Sequence, residues 1–453
     1  MKTGTPVFAV SLLAALLGAL SSRGAEKPNV ILIMADDVSY DQFGCYGNET
    51  LKTPRLDQLA KTGAKFNHCY SLPLCTPSRV KIMTGRDSIR NYIGFGQLDL
   101  QEITFGTMMK KAGYATAVTG KWQLRRGEKG SLAPDCGFDT YCLWHYPGTN
   151  RQRYWKPSLM RDGKLVPVDE NSFGPDINTD FIIEFIEKNK QRPFFVYYPS
   201  ILMHGPATST PDIRASDKKG RDANWAAMAN HLDKNVGRIV DALEKNGLRE
   251  NTVILFTTDN GNSGHTTYTF RGETRETEKG SPTDGGTHTP LIVNCPGVVP
   301  EGLVIDDLVD FSDFLLTLAD ISGAALPDVT LDGSSFWPQC RGEKGNPRDW
   351  IFQCWFPKGS GGERWASGSP HVMWAQDRNY KLYSHGKFIE VADRLETRDI
   401  PPGTGSQQAE AARRKLRAAI DSMPKNDPHT MQEDESGKDR KGKKKKSQQE
   451  EAQ

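Results

Sequence analysis

The chain has 453 residues, of which 25% are charged and 37% hydrophobic, and its formal net charge is +2. This length allows one large domain with a smaller appendage, and the composition is that of a globular protein with a sizeable core. The near-balanced charge argues against the strongly basic surface of nucleic-acid-binding proteins, so no nucleic-acid partner is expected.

The N-terminal segment, residues 1–25, has the pattern of an export signal. Lys2 precedes a mostly apolar run at residues 7–20, and the small residues at 21–25 follow it. The run is too short to span a bilayer comfortably, which favours a cleaved signal peptide over an uncleaved membrane anchor. We therefore predict a periplasmic or secreted protein without stable membrane insertion.

Four apolar segments predict buried β-strands, at residues 29–34, 114–118, 193–198 and 252–258. Each is followed by polar groups, which in chain order are Asp36 and Asp37, Lys121, His204, and Asp259 and Asn260. Helical periodicity marks other segments, at residues 54–60, 182–186, 225–243 and 314–318. This arrangement predicts an α/β fold with a large mixed β-sheet sandwiched between helices. Ligands bind beyond the carboxyl ends of strands in such sheets, so these polar groups form the candidate site.

A change of pattern near Asn346 predicts a boundary between a large domain, residues 26–345, and a small α+β subdomain, residues 346–424. The subdomain contains four short strand-like segments and one helical segment, at residues 351–355, 371–374, 380–383, 388–391 and 409–420. These predict a small antiparallel sheet with one helix. Residues 425–453 have almost no apolar side chains and include a lysine run, so we predict a disordered, solvated tail.

Eight cysteines are compatible with disulfides in an exported protein. Cys136 and Cys142 are close enough in sequence to pair, although connectivity cannot be deduced from spacing. No Cys-x-x-Cys pair indicates a zinc site.

The segment at residues 75–79 reads Cys-Thr-Pro-Ser-Arg, and Thr84-Gly85-Arg86 follows it. This combination resembles the maturation motif of the sulfatase family, in the alkaline-phosphatase-like superfamily, where Cys-x-Pro-x-Arg precedes a Thr-Gly-Arg. The resemblance covers nearly all of residues 27–395 and thins after Asn346. It implies an alkaline-phosphatase-like fold and a sulfuric ester hydrolase, similar to arylsulfatases, acting on a sulfated carbohydrate or an aryl sulfate.

The resemblance also implies that a separate maturation enzyme oxidises Cys75 to formylglycine, whose hydrate is the nucleophile. After sulfate transfer, the second hydroxyl of the hydrate can expel the sulfate, which a plain serine could not do. Pro77 predicts a helix start, and a helix N-terminus beside residue 75 favours anions. A buried structural cysteine or a disulfide partner is the alternative.

A metal site is predicted from two adjacent pairs, Asp36 with Asp37 and Asp259 with Asn260. Three carboxylates and an amide suit Ca²⁺ or Mg²⁺ rather than zinc. The resemblance implies one calcium ion on these four residues, with an oxygen of the modified Cys75 as a further ligand. Taken singly, each pair is more typical of a turn or a helix cap.

The implied catalytic set is completed by Arg79, Lys121, His204 and Lys279. Both lysines are expected on the sulfate, where positive charge stabilises the transition state. His204 is expected to donate a proton to the departing alcohol. Lys279 begins a segment that fits the family pattern Lys-Gly-x-x-x-Glu-Gly-Gly-x-Arg-x-Pro, with Asp284 and His288 replacing the Glu and the Arg.

Gln123 departs from the family, which usually has a histidine in the corresponding Gly-Lys-Trp-His-Leu segment. That histidine is thought to help release sulfate, whereas a glutamine can hydrogen-bond substrate but cannot act as a base. We predict an active enzyme because the rest of the set is intact. One alternative is a catalytically impaired homologue that binds sulfated glycans. The other is a phosphatase or phosphodiesterase of the superfamily, which the Cys75 motif and the lack of a histidine-rich metal cluster argue against.

The segment at residues 144–155 combines aromatic and basic side chains. Such a loop suits stacking on a sugar ring and contact with anionic groups, so Arg151 and Arg153 are predicted to support substrate binding. A loop simply packed on the surface is the alternative.

Overall fold

The computed structural model describes residues 27–125, 131–213, 220–263, 267–276, 278–356, 371–392 and 394–424. The predicted signal peptide, residues 1–25, and the predicted disordered tail, residues 425–453, lie outside the described residues. No helix within the described ranges is both long enough and apolar enough to cross a membrane.

The strands of the described residues are β1 (Asn29–Ala35), β2 (Ala64–Tyr70), β3 (Ala115–Lys121), β4 (Thr140–Trp144), β5 (Met160–Arg161), β6 (Lys164–Leu165), β7 (Phe194–Pro199), β8 (Thr252–Thr258), β9 (Tyr268–Phe270), β10 (Glu273–Arg275), β11 (His288–Asn294), β12 (Leu303–Asp310), β13 (Ile351–Trp355), β14 (Val372–Gln376), β15 (Tyr380–Tyr383) and β16 (Phe388–Glu390). The α-helices are α1 (Pro54–Lys61), α2 (Cys75–Thr84), α3 (Ser88–Asn91), α4 (Phe105–Lys111), α5 (Gly174–Asn189), α6 (Arg221–Lys245), α7 (Asp284–Thr287), α8 (Asp313–Ser322), α9 (Trp337–Cys340) and α10 (Gln407–Ser422).

The central sheet has ten strands in the order β12-β2-β11-β8-β1-β7-β3-β4-β5-β6. Strands β8, β1, β7, β3 and β4 run parallel, whereas β11 is antiparallel to both of its neighbours. The predicted large mixed sheet is therefore confirmed. Since β8, β1, β7 and β3 are parallel neighbours, their carboxyl ends meet at one edge, as the sequence predicts.

Strand β1 shows why the sheet is covered on both faces. All of its residues are buried. Val30, Leu32 and Met34 belong to one hydrophobic layer with α2, α4 and α8, whereas Ile31 and Ile33 belong to the other with α1, α5 and α6. Side chains alternate across a strand, so a continuous apolar run requires apolar cover on both sides. The helices predicted at residues 54–60, 182–186, 225–243 and 314–318 supply this cover as α1, α5, α6 and α8.

The C-terminal part forms a second, antiparallel sheet in the order β13-β14-β15-β16. Helix α10 covers it, and Leu416 and Ile420 pack with Phe352, Leu382 and Phe388 in a separate hydrophobic cluster. The predicted small antiparallel sheet with one helix is confirmed, while the boundary at Asn346 stays a prediction.

No disulfide joins the eight cysteines, all of which lie in the described ranges. Cys136 and Cys142 belong to different hydrophobic layers. Their pairing, which sequence spacing permits, is therefore not formed.

Candidate active site

The carboxyl edge of the sheet brings together the four predicted metal ligands, all of them buried. Asp36 and Asp37 follow β1, and Asp259 and Asn260 follow β8. The Asp37 backbone N–H donates to Asp259 Oδ1 at 3.1 Å, and Asn260 Nδ2 donates to Asp37 Oδ1 at 2.8 Å. Backbone bonds from Asp36 to Leu202 O and from Asp259 to Ala35 O fix the neighbouring strand ends.

The oxygens of this cluster fit a hard divalent cation. Asp36 Oδ1 and Asn260 Oδ1 are buried and accept no hydrogen bond, and buried polar atoms are normally paired. Burial raises the pKa of Asp36 and of Asp259, and the neighbouring carboxylates add to this effect. A bound cation would satisfy the unpaired oxygens and offset the repulsion.

Cys75 is buried and is the first residue of α2, two residues earlier than the helix start that Pro77 predicts. No side chain caps this end of the helix, so its first N–H groups and positive dipole end are available to an anion. The turn before the helix is held by Ser78, whose Oγ accepts from Leu72 N at 3.0 Å.

Arg79 lies one turn along α2 and joins the cysteine helix to the carboxylates. Its Nη2 donates to Asp259 Oδ2 at 2.8 Å and to Asp36 Oδ2 at 3.3 Å, and Nη1 donates to Lys121 O at 2.9 Å. Burial alone would lower the pKa of Arg79, but Asp259 and Asp36 raise it above its ordinary value. Arg79 therefore stays charged and orients two of the predicted ligands.

The two predicted lysines approach the carboxylates from different segments. Lys121 is the last residue of β3 rather than lying beyond the strand, and its Nζ is 2.6 Å from Asp36 Oδ2. Lys279 forms an ion pair with Asp37. Burial opposes ionisation of Asp37, yet Lys279, His204 and Lys121 together hold its pKa well below the usual range. The site is thus a compact cluster of alternating charge.

His204 follows β7 and lies beside this cluster. Asp36, Asp37 and His204 offer ligand atoms within 4.8 Å of one another. His204 Nδ1 donates to Gly205 O at 2.8 Å, which leaves Nε2 for another partner. Burial and then Lys121 lower the pKa of His204 to about 3, against the opposing effect of Asp37. The imidazole is therefore neutral at neutral pH.

Gln123 lies just beyond β3, with a left-handed backbone (φ 59°). Its backbone N–H donates to His145 O at 3.2 Å, and its Oε1 is buried without a hydrogen-bond partner. The structure therefore places Gln123 at the same edge as Lys121, with an acceptor atom to offer.

The two arginines of the aromatic and basic loop lie in different environments. Arg151 is exposed. Arg153 donates to Gly205 O, and its guanidinium lies 4.8 Å from the centroid of the Trp144 ring. Tyr154 donates its hydroxyl to the carbonyl of His204. Part of this loop therefore supports the histidine segment instead of facing outward.

Three neighbours of the site carry no motif and were not predicted. Ser263 Oγ donates to Asp37 Oδ2 at 2.7 Å. Glu278, next to Lys279, is bound by Arg394 of the C-terminal part. A hydroxyl four residues after Asp259 is a weak signal for Ser263. No local signal connects Glu278 with Arg394, because they are 116 residues apart.

Comparison with known proteins agrees with this architecture. Residues 28–324 match the family model described as Sulfatase. Human arylsulfatase A is 34% identical over 384 residues, covering 76% of this chain and 73% of that protein. The N-acetylgalactosamine-6-sulfatase of the dog, Canis lupus familiaris, is 30% identical over 372 residues, covering 73% and 69%.

Two solved structures support the fold. A sulfatase from Pseudoalteromonas has a TM-score of 0.71 at 20% identity and covers 90% of this chain and 93% of its own. A protein solved with its substrate D-glucosamine-2-N,6-O-disulfate has a TM-score of 0.71 at 21% identity, covering 87% and 97%. The alkaline-phosphatase-like fold expected from the sequence is thereby confirmed. Together with the family model and the arylsulfatase relative, these findings show that the chain belongs to the sulfatase family.

Proposed function

We propose that this sulfuric ester hydrolase cleaves the sulfate ester of a carbohydrate or an aryl alcohol to the alcohol and inorganic sulfate, with formylglycine at position 75 as the nucleophile. The observation that carries the proposal is the position of Cys75. It begins a helix whose N-terminus is uncapped by side chains, and Arg79, one turn along that helix, binds both Asp36 and Asp259. A buried cysteine with only a packing role has no need of such cationic surroundings.

The names of similar proteins support a sulfated sugar as the substrate class. The canine relative is an N-acetylgalactosamine-6-sulfatase. One structurally similar protein was solved with its substrate D-glucosamine-2-N,6-O-disulfate. The human relative is an arylsulfatase, so an aryl sulfate stays within the proposal.

Asp36, Asp37, Asp259 and Asn260 would hold one calcium ion, with residue 75 as a further ligand; Mg²⁺ is the less favoured occupant. Such an ion supplies fixed positive charge that polarises the sulfate. Carboxylate and amide oxygens suit this hard cation, and the unpaired Asp36 Oδ1 and Asn260 Oδ1 are available to it. A hydrated formylglycine supplies two hydroxyls, one to attack and one to expel the bound sulfate.

The protein's own cations bind and orient the ester. Lys121 and Lys279 would donate hydrogen bonds to the sulfate oxygens, replacing part of their present contact with Asp36 and Asp37. These charges are fixed before the reaction, so they stabilise the transition state without reorganisation. Arg79 keeps Asp36 and Asp259 aligned for the metal.

His204 would protonate the leaving alcohol. Burial lowers its pKa most, and Lys121 and Lys279 lower it further. An anionic sulfate between these lysines offsets their effect and raises the pKa of His204 towards the range of a proton donor. His204 would thus gain its proton when substrate is bound. Gln123 would accept a hydrogen bond through Oε1 but could not take up the proton released with sulfate.

The test is to produce the protein with a formylglycine-generating maturation enzyme and measure two quantities. The first is the mass of the tryptic peptide 66–79, in which Cys69 is an internal control for Cys75. The second is turnover on sulfated sugars, an aryl sulfate and a phosphate ester, with Cys75→Ala as the inactive control. We expect conversion of residue 75 alone and hydrolysis only of sulfate esters.

Other outcomes would change the proposal. Conversion without turnover, together with binding of sulfated glycans, would favour the impaired homologue that Gln123 suggests. An unconverted Cys75, in cells that convert another sulfatase, would remove the proposed nucleophile. Faster turnover of the phosphate ester would favour the phosphatase alternative.

Export through residues 1–25 belongs to the same proposal and is tested by N-terminal sequencing of the mature protein.

A further inference from the structure

A buried arginine of the C-terminal part contacts two carboxylates of the large sheet's loops. Arg394 follows β16 and is 9% exposed. Its Nη1 donates to the Asp41 carboxylate, and its Nε donates to Glu278 Oε1 at 2.9 Å. Burying one guanidinium against two carboxylates is favourable only when the geometry is well matched. These contacts therefore fix the relative positions of the three side chains.

The two carboxylates belong to the segments that carry the site. Asp41 lies four residues after Asp37 and also accepts from Ser39 Oγ at 2.7 Å and from Tyr268 Oη at 2.8 Å. Glu278 directly precedes Lys279, which pairs with Asp37. Arg394 therefore connects the segment that follows β1 with the segment that carries Lys279.

The segment at residues 278–284 is held by contacts within itself and with other parts of the chain. Glu278 also accepts from Thr283 Oγ1, and the Lys279 backbone N–H donates to Asn262 O at 3.0 Å. Lys381, on β15, donates to Pro282 O. A side chain at Gly285 would overlap the ends of both Glu278 and Arg394, so these two side chains pack closely over this glycine. The C-terminal part thus holds this segment at two points.

We propose that Arg394 is a positioning residue that acts through Glu278 to hold Lys279 where it binds the sulfate. The small C-terminal sheet then supports the active site, although none of its described residues is proposed to contact the sulfate itself. This inference rests on the proposed role of Lys279 as a sulfate-binding cation. Loss of Arg394 would leave Glu278 without its buried cation and let the lysine move away from the sulfate position.

The experiment measures binding of inorganic sulfate by calorimetry, using the full chain with Cys75 unmodified, and kcat and KM of the matured enzyme. The variants are Arg394→Gln, Lys279→Ala and the double variant. Arg348→Gln is the matched control, because the Arg348 side chain is only 14% exposed and also binds a carboxylate, Asp313, while its hydrogen bonds go to residues 312, 313 and 332 and not to the segment 278–284. Melting curves recorded by circular dichroism identify a measurement temperature at which every variant is folded.

We expect Arg394→Gln to weaken sulfate binding and to lower kcat/KM by about tenfold or more, because small misplacements of a binding group are costly. Lys279→Ala should do the same. The double variant should be no worse than Lys279→Ala alone, since both changes remove one interaction. Arg394→Lys should recover part of the loss, and Arg348→Gln should bind sulfate like the unmodified sequence.

Additive losses in the double variant, or an equal loss in Arg348→Gln, would overturn the inference in favour of a general effect on stability. Normal sulfate binding by Arg394→Gln, with weak binding by Lys279→Ala, would overturn the inference alone. Normal binding and turnover by Lys279→Ala would overturn both the inference and the proposed role of Lys279.

Discussion

Individual side chains at the candidate site hold the carboxylates of the predicted metal ligands in place. Arg79 donates to two carboxylates and to the backbone of Lys121, and Ser263 donates to Asp37. These contacts orient Asp36, Asp37 and Asp259 around the Asp36 oxygen that remains free. The geometry of a metal site depends as much on such partners as on the ligands.

Gln123 is the residue at which a single change should increase activity. Gln123→His is expected to raise kcat by roughly tenfold or more, because a positioned base contributes about 10² or more to proton transfer. Histidine tolerates the left-handed backbone at this position. The measurement is steady-state kcat of the matured enzyme, with Gln123→Ala as the control that only removes the amide. A kcat no higher than that of the unmodified sequence would show that another group already serves as the base.

The two arginines of the aromatic and basic loop should differ in their effects. Arg151→Ala is expected to raise KM a few fold with unchanged kcat, because the side chain is exposed and free to meet substrate. Arg153→Ala is expected to lower kcat, because its loss releases Gly205 O beside His204. Separate kcat and KM values on one sulfated sugar test this. Equal effects of the two changes would contradict it, and neither change should alter conversion of Cys75.

Secondary-structure elements position these residues through contacts that lie far apart in sequence. Helix α1 is an example, since its N-cap residue Thr53 makes no capping hydrogen bond. Asp233, on α6, caps it instead by accepting from Arg55 N at 3.0 Å and Leu56 N at 2.8 Å. One helix thereby satisfies the unpaired N–H groups of another.

This cap should make stability depend on pH. Burial raises the pKa of Asp233 to about 6, although the two backbone N–H groups oppose the shift. A carboxyl group with a raised folded-state pKa contributes most below its ordinary pKa, and the contribution is lost as pH rises through 6. Between pH 4 and pH 7, the free energy of unfolding should therefore fall by about 2 kcal/mol more for the unmodified sequence than for Asp233→Asn. Denaturant titrations at several pH values measure the difference, and parallel pH profiles would contradict it.

Strands differ in how well the sequence predicts them. β1, β7 and β8 are continuous apolar runs and were predicted within two residues, as were β13 and β15. The sequence did not predict β2, β11 and β12, because half-exposed polar residues interrupt the first and last and Pro290 lies within β11. Two-residue strands such as β5 have no periodicity to detect.

The candidate site was likewise predicted in part. Strand ends and the Cys75 motif predicted eight of the ten candidate residues, because one edge follows from parallel strand order, whereas Lys279 and Gln123 followed from the family resemblance. The pairing of Lys279 with Asp37 joins residues 242 apart. The contact of Arg394 with Asp41 spans 353 residues. The Arg394 contact depends on how the second sheet docks, and no local pattern encodes either pair.

The whole molecule is held together near Cys75 by a buried ion cluster. Lys81, on α2, lies 2.9 Å from both Asp87 Oδ2 and Asp310 Oδ2, and donates to Phe352 O and Gln353 Oε1 at 3.0 Å. It therefore joins the cysteine helix to the central sheet through β12 and to the second sheet through β13.

Lys81→Met should destabilise the protein strongly. Removal of the ammonium leaves two buried carboxylates without their cation, which typically costs about 3–5 kcal/mol. The measurement is the free energy of unfolding in urea. Lys387→Met is the control, since its ion pair with Glu396 is partly exposed and its loss should cost less than about 1 kcal/mol. A loss of similar size in both variants would contradict the inference that the buried Lys81 cluster stabilises the fold more than a partly exposed ion pair does.

The C-terminal tail should be dispensable for catalysis. Every residue of the candidate site precedes Pro424, and α10 ends at Ser422. A chain that ends at Pro424 is expected to keep its kcat/KM on a small sulfated sugar, measured beside the full chain. A large loss would show that residues 425–453 contribute to the site.

The absence of disulfides has a practical consequence for handling the protein. Apart from Cys75, seven thiols remain, and Cys45 alone among them is not fully buried. Burial raises the pKa of Cys45, Cys136 and Cys142 to about 12 and that of Cys295 to about 11, so these groups stay protonated and unreactive near neutral pH. The native fold thus does not depend on disulfide formation. The rate of alkylation by a thiol reagent should therefore report unfolding, because each buried sulfur becomes accessible to the reagent only when the surrounding structure unfolds.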